Sequence, residues 1–282
     1  MSELEKKIQD AIRILKIAEQ QASVYDEPVE VAYSGGKDSD IILQLAKESN
    51  INFKAYYKQT TIDPPGTLNH VRENNVEIIR PKITFFQLIE KKGFPSFQHR
   101  FCCEALKEYK ILNTAIWGIR ASESVKRKKR YTTFDFCRKY NSKDKVHIYL
   151  PILSWNLIDV KNFISDRNLK LAPIYYNNDG SINYKARLGC LACPLKSDIG
   201  KADFLKYKSI LISYLKAGQK YFLKHYDKND LRFKNIYELF LFRTFFRKKS
   251  KYELAMTENN LFNSKINAKE FLENYFHTKL DL

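Results

Sequence analysis

The residues with the clearest chemical purpose are Ser34-Gly35-Gly36-Lys37-Asp38-Ser39, set between a short apolar run, Val29 to Tyr33, and a helical pattern carrying Ile41, Ile42, Leu43 and Leu45. A glycine pair in a strand-to-helix turn bends the backbone tightly and presents successive N–H groups, and the helix N-terminus adds partial positive charge, so the turn is an anion cradle. The serine hydroxyls and the Lys37 ammonium extend the donor set toward phosphate oxygens. Asp38 is the odd member: a carboxylate repels phosphate unless Mg2+ bridges the two, so the loop implies a metal–nucleotide ligand with Mg2+ held at Asp38. The bland alternative is an ordinary Gly-Gly turn. The Walker pattern G-x-x-x-x-G-K-[ST] does not occur.

The cysteines form a second set. Cys102 and Cys103 are adjacent, Cys190 and Cys193 form a C-x-x-C, and Cys137 stands alone. In a reducing compartment they do not read as structural disulfides. Four thiolates from two distant pairs suit a 4Fe-4S cluster, since each iron takes one terminal ligand and C-x-x-C places two on one turn. A four-cysteine zinc site has the same ligand count, although adjacent cysteines serve neighbouring irons more readily than one zinc. Buried free thiols are the third reading. Lys107, one helical turn beyond Cys103, is placed to face the phosphate pocket or the charge of a cluster.

Arg120, Glu123, Ser124 and Arg127 follow Ile116-Trp117-Gly118 at the end of a predicted strand. Guanidiniums leaving a strand end pair bidentately with phosphate or sulfate oxygens. Lys37, Asp38, Arg120 and Arg127 are therefore the candidate catalytic residues, stabilising charge that develops on phosphate. Ser34, Gly35, Gly36, Lys37, Asp38, Ser39, Gly118, Arg120 and Lys107 form the candidate nucleotide-binding set. In the run Lys126 to Arg130, Lys128 and Lys129 read as solvated surface.

Positioning these residues requires an alternating scaffold. Leu4, Ile8, Ala11, Ile12, Leu15 and Ala18 recur at helical spacing, which predicts an amphipathic packing helix over 3–22. Strands are predicted at 29–33, 53–57, 76–79, 114–117 and 146–150. Helices are predicted from Thr84 to Lys92 and after Ser154, a potential cap for Leu157, Val160, Phe163 and Ile164. Such alternation implies an α/β fold: a parallel twisted sheet flanked by helices, with binding residues at the carboxyl ends of its strands. After Gly200 the chain turns to helical segments rich in Lys, Tyr and Phe. The expected organisation is an N-terminal helix over 1–24, a nucleotide domain over 25–200 and a basic helical C-terminal subdomain over 201–282.

Composition bounds the rest. With 44% apolar residues, the 282-residue chain fills a real core, which excludes disorder. No stretch approaches the roughly 18 apolar residues of a membrane span, and MSELEKKIQD lacks an apolar signal segment, so a cytoplasmic protein with no membrane partner is expected. A charge of +17 attracts the phosphates of a nucleotide or a nucleic acid. Lys supplies 36 of the 49 cations beside abundant Asn, Ile, Tyr and Phe, a bias that low-GC coding alone produces, so substrate phosphate is the safer inference. In residues 195–282, 18 Lys and Arg stand against 10 Asp and Glu. Phe240, Leu241 and Phe245 fall at helical spacing and are predicted to pack; if the tail binds nucleic acid, Arg243, Arg247, Lys248, Lys249 and Lys251 are the expected phosphate contacts.

S-G-G-K-D-S after an apolar strand resembles the PP-loop of the ATP pyrophosphatase superfamily, whose members bind the pyrophosphate part of ATP and act at its α-phosphate. Cys102-Cys103-x-x-Leu106-Lys107, Gly118-x-Arg120-x-x-Glu123-Ser124-x-x-Arg127, Pro151-x-x-x-Trp155 with Asp159-Val160, and Arg187-x-Gly189-Cys190-x-x-Cys193-Pro194 resemble, in order, signatures of the phosphoadenosine phosphosulfate (PAPS) reductase family. The paired cysteines are similar to those of adenylyl-sulfate reductases and of the DNA phosphorothioation sulfurtransferase component, both of which carry a 4Fe-4S cluster. Asp63-Pro64-Pro65 after Thr60-Thr61 resembles the substrate loop of shorter relatives in phages and mobile elements.

The resemblance implies an adenine nucleotide alpha hydrolase-like fold. It also implies an enzyme that splits ATP into AMP and pyrophosphate and moves sulfur or electrons by way of a cluster, with a sulfur-donor or thiol-reductant protein as partner. The sequence departs from the sulfonucleotide reductases, which use a cysteine in a C-terminal Glu-Cys-Gly segment; here no cysteine follows Cys193. The loop also keeps the S-G-G-x-D-S form of ATP-hydrolysing members. Two alternatives stand beside this reading: a sulfonucleotide reductase drawing on an external thiol, and a non-catalytic regulator that binds a nucleotide or nucleic acid.

Overall fold

Val29 and Val31 are fully buried in a five-residue run, Val29–Tyr33, that forms strand β1 of a six-stranded sheet. The computed structural model describes residues 2–140, 144–198, 200–226, 232–246, 248–257 and 267–282. The other strands are β2 (Phe53–Lys58), β3 (Glu77–Ile79), β4 (Thr114–Ile116), β5 (Asp135–Lys139) and β6 (Lys145–Tyr149). The helices are α1 (Glu3–Ser23), α2 (Lys37–Glu48), α3 (Thr67–Glu73), α4 (Phe85–Lys92), α5 (Phe101–Leu106), α6 (Val125–Arg130), α7 (Leu157–Asp166), α8 (Lys201–Lys206), α9 (Lys208–His225), α10 (Ile236–Phe240), α11 (Lys249–Thr257) and α12 (Ala268–Phe276). Two compact units result: one of residues 1–59, 63–80 and 108–188, the other of residues 60–62, 81–107 and 189–282.

In the first unit the strand order is β3-β2-β1-β4-β6-β5, with every neighbouring pair parallel except β5 and β6. The chain moves outward from β1 to β3 and then returns to place β4 on the other side of β1. The order therefore reverses between β1 and β4, the position where an open α/β sheet leaves a crevice beyond its carboxyl ends. Val31 pairs with Ile116, so Ser34 and Gly118 leave the sheet side by side. Helix α1 buries Ile8, Ala11, Leu15 and Ala18 as its periodicity predicts, and Lys7 anchors it to Asp159 at 2.9 Å.

One expectation is corrected. Helix α7 is capped by Asn156, not Ser154: its side chain accepts from the N–H groups of Ile158 and Asp159, and Asp159 returns the bond to Asn156 N–H at 2.7 Å. The sheet is mostly parallel and flanked by helices, as expected, and the polar run Asp135–Lys139 adds an antiparallel edge strand. Edge strands tolerate such composition because one side faces no further strand.

The second unit has an aromatic core. Phe94 stacks on Tyr214 at 5.1 Å, with Phe204, Phe240 and Phe276 arranged edge-on around them. Phe240, Leu241 and Phe245 are all buried, as their spacing predicts. Gly218 of α9 makes room for Phe94, since a methyl group there would lie 2.2 Å from the ring. Among the described residues no helix is long and apolar enough to cross a membrane.

Candidate functional site

The cradle is built where β1 passes into α2. Gly35 takes φ +74, a left-handed conformation open to glycine at no steric cost, and Gly36 then serves as the extended N-cap of α2. The carbonyl of Gly36 accepts from Ser39 N–H at 2.8 Å, Asp40 N–H at 3.0 Å and Ser39 Oγ at 2.7 Å. Ser34 N–H donates to Ser39 Oγ at 3.2 Å, which closes the turn. The Tyr175 hydroxyl accepts from the N–H groups of Lys37 and Leu188, tying a segment about 140 residues away to the loop. Gly118 completes the wall: a methyl group there would lie 2.8 Å from the Asp38 carbonyl oxygen.

These elements enclose a cavity of about 380 Å³ lined by Ser34, Gly36, Lys37, Asp38, Ser39 and Gly118 among others, with Arg127 and Arg187 across from the loop. Asp38 Oδ1 accepts from Arg120 Nε at 2.6 Å, and Arg120 is itself 4% exposed. Glu123 pairs with Arg127 and lies 3.8 Å from Arg187. Four cations thus face two carboxylates, an excess that matches the charge of a bound phosphate group. Burial pulls the Lys37 ammonium below its ordinary value, with Asp38 opposing and Arg120 and Arg187 reinforcing. Burial likewise lowers the Arg127 guanidinium, and Arg187 adds to the effect. An anion entering the cavity relieves both.

Below the loop, Asp40 Oδ1 accepts from the Tyr33 hydroxyl and meets His70 Nε2 at 3.0 Å. Burial raises the Asp40 carboxyl, against the pull of His70. This network braces α2 against β1 and α3.

Four of the five thiols stand in the second unit. Cys102 and Cys103 lie on the first turn of α5. The C-x-x-C turn is held by Leu191 N–H to Ile62 O at 2.9 Å and Ala192 N–H to Asp203 Oδ2 at 2.8 Å. Gly200 fits against that turn, where a methyl group would meet Ala192 Cα at 2.6 Å. The hydrogen bond to Cys103, burial and the nearby charges of Cys103, Cys190 and Cys193 push the Cys102 thiol up. Burial raises Cys193, with Lys107 among the opposing charges. Tyr214 is fully buried and feels the charges of Cys102 and Cys193, and its hydroxyl neighbours that of Thr244.

Among the described residues no three His, Cys, Asp or Glu side chains are arranged to hold a single metal ion. A cube spreads its four thiolates over four irons, so its ligands need not converge on one point. Four half-buried thiols in mutual electrostatic reach, none in a disulfide, fit that donor chemistry.

Ser34, Gly36, Lys37, Asp38, Ser39, Gly118 and Arg127 are brought together, and Gly35 shapes their turn. Arg120 is placed behind Asp38 as its clamp and does not line the cavity. Lys107 belongs to the second unit, with the cysteines. Cys137 lies on the edge strand, 3.4 Å from His147. Arg247 lies outside the described residues. Sequence reasoning missed Tyr175 entirely and took Arg187 and Glu123 only as motif letters. The charge run around Arg127 and the basic residue before Gly189 were the available signals; nothing local marks a buried tyrosine as a loop brace.

Residues 28–196 match the family model for the phosphoadenosine phosphosulfate reductase domain. An uncharacterised protein of Methanocaldococcus jannaschii is 28% identical over 226 residues, covering 74% of this chain and 50% of that protein. The chain thus spans about half the length of this curated relative. Among solved structures, PAPS reductase from Candida auris in a phosphate complex aligns over 65% of this chain and 95% of its own, with 15% identity and a TM-score of 0.43. NMN synthetase from Francisella tularensis aligns over 83% and 98%, with 15% identity and a TM-score of 0.40.

Proposed function

The chain belongs to the phosphoadenosine phosphosulfate reductase domain family, and from that membership we propose that it is a PP-loop nucleotide enzyme acting at the α-phosphate of ATP, with sulfur or electrons supplied through a 4Fe-4S cluster. The cavity at the β1–α2 turn carries this reading: backbone N–H groups, two serine hydroxyls and an excess of cations converge beside two carboxylates, Asp38 and Glu123.

In this reading the loop amides, Ser34, Ser39 and Lys37 hold the pyrophosphate moiety of ATP, and Arg127 and Arg187 face the charge that grows on its oxygens. An acceptor oxygen forms a bond to the α-phosphorus, the bond to pyrophosphate breaks, and pyrophosphate leaves with the electron pair. Displacement of the adenylylated acceptor by a sulfur nucleophile then releases AMP. Asp38, fixed by Arg120, would hold Mg2+ jointly with phosphate oxygens; when bound, the ion neutralises phosphate charge. Cys102, Cys103, Cys190 and Cys193 would hold the cluster, which supplies sulfur or electron-transfer chemistry.

A second reading, reduction of a sulfonucleotide by an external thiol, is favoured by the family match itself. One experiment separates the two. Anaerobically purified protein is incubated with Mg2+ and ATP, adenylyl sulfate or PAPS, with and without added thiol. AMP and pyrophosphate from ATP, lost in Asp38→Asn, support the first reading. Sulfite from a sulfonucleotide plus thiol replaces it with the second. ADP as the product refutes action at the α-phosphate.

A further inference from the structure

A second cavity, of about 470 Å³, lies in the second unit. Its lining includes the rings of Phe97, Phe242 and Phe246 and the cations Arg243, Lys248 and Lys249, with no Asp or Glu among the described lining residues. Phe97 is 55% exposed, a large apolar surface left facing solvent. After α10 the chain widens into a π turn, Leu241–Phe245, a distortion that recurs at functional sites. The turn sends Leu241 and Phe245 into the core while Phe242 and Phe246 both line the groove. Edge-on contacts with Tyr252 at 5.4 Å and Phe245 at 5.0 Å fix these two ring planes. Thr244 also lines the groove; it is 2% exposed, and its hydroxyl is the hydrogen-bonding neighbour of the buried Tyr214 hydroxyl. Pro194 forms part of the wall, directly after Cys193 in the chain.

Aromatic faces alternating with cations and an absence of acidic residues from the described lining match one ligand chemistry: a π-faced base carried on a phosphate chain. We propose that this groove binds a single-stranded nucleic acid segment, its bases stacking on Phe97, Phe242 and Phe246 and its phosphates meeting Arg243, Lys248 and Lys249. Lys249 also meets Glu253 of its own helix at 3.2 Å, an exposed pair that a phosphate displaces at little cost. An acidic protein segment would satisfy the cations and leave the rings without partners. The proposal stands independently of the α-phosphate reading, because it rests on different residues.

The test is fluorescence anisotropy of the full chain with labelled DNA and RNA single strands of about 12 nucleotides, within the site sizes such grooves cover. Three phosphate contacts give a slope of about −2 in log affinity against log salt. That slope collapses in the triple variant Arg243→Gln, Lys248→Gln, Lys249→Gln. Phe97→Ala, at an exposed position, weakens binding about tenfold. Melting curves confirm that the variants fold, and Lys249→Gln alone, on a largely exposed side chain, keeps the test valid if the triple variant does not. Asp38→Asn binds like the wild type. Absence of binding at low salt, equal affinity in all variants, or equal binding of duplex unaffected by Phe97→Ala overturns the proposal. Full competition by AMP transfers the site to a mononucleotide, and full competition by poly-glutamate transfers it to an acidic protein; each also overturns it.

Discussion

Gly118→Ala is the most direct test of how the nucleotide cavity is assembled. A methyl group at position 118 would lie 2.8 Å from the Asp38 carbonyl oxygen, 3.0 Å from its carbon and 3.3 Å from Ser39 N. Carbon–oxygen contacts settle at about 3.3–3.6 Å, so β4 and the start of α2 must part by roughly 0.5 Å. Both partners are backbone, and no side chain can rotate away. Overpacking of this kind costs about 1–3 kcal/mol, and each kcal/mol lowers the melting temperature by about 2–4 °C in a domain of 150–250 residues. The same shift misplaces Lys37 and Asp38, and because a 1 Å error costs about 100-fold, half of it should weaken nucleotide binding by about tenfold.

Two controls sharpen the test. At Gly36 φ is −88 and the added methyl meets the Tyr175 and Ser34 hydroxyls at 3.3 and 3.4 Å and Leu188 Cβ at 3.9 Å. Gly36→Ala should therefore melt near wild type while losing nucleotide affinity, because the methyl stands in the cavity. At Gly189 nothing lies within 4 Å, so Gly189→Ala should change neither. Thermal melts and calorimetric titration with Mg2+–ATP read both quantities. A Gly118→Ala protein with wild-type melting temperature would show that the strand end and the loop are not in the contact described.

The remaining predictions concern charge and thiols. Asp38→Asn should abolish turnover while its amide oxygen still accepts from Arg120 Nε, whereas Asp38→Ala leaves that buried donor with no acceptor and should cost about 1–3 kcal/mol more in denaturant unfolding; equal stability of the two variants would refute the clamp. Anaerobically purified protein should be brown and contain about four iron and four sulfide per chain. Iron should be lost on replacing Cys102, Cys103, Cys190 or Cys193 by Ser and retained in Cys137→Ser, while stoichiometric zinc without sulfide would replace the cluster reading. Burial places the Lys37 pKa below its ordinary 10.5, so at pH values between the lowered value and 10.5 the free protein holds this amine partly neutral. A bound phosphate favours the charged form, and nucleotide binding in that window should therefore take up protons; calorimetry in buffers of different ionisation heat detects this. Uptake that persists in Lys37→Met would assign the proton elsewhere.

Much of the chemistry was legible in the sequence because it is local. Six consecutive residues specify the cradle, since a turn, its glycines and the following helix start are set by neighbouring backbone preferences. The two cysteine pairs and the apolar periods of α1 and β1 are short-range for the same reason. Tertiary structure alone decided which charges are spent on one another. Arg120 is committed to Asp38 across 82 positions, and Glu123 is shared between Arg127 and Arg187. Tyr175 reaches back to Lys37 across 138 positions to fix the loop. The polar edge strand β5 forms only because β6 supplies an unpaired edge, and Phe97 comes to share a groove with Phe242 and Phe246 from the far side of the sequence. These partnerships follow from packing between segments far apart in the chain. Residue type states what each side chain is able to bind, and the fold chooses which of those bonds is made.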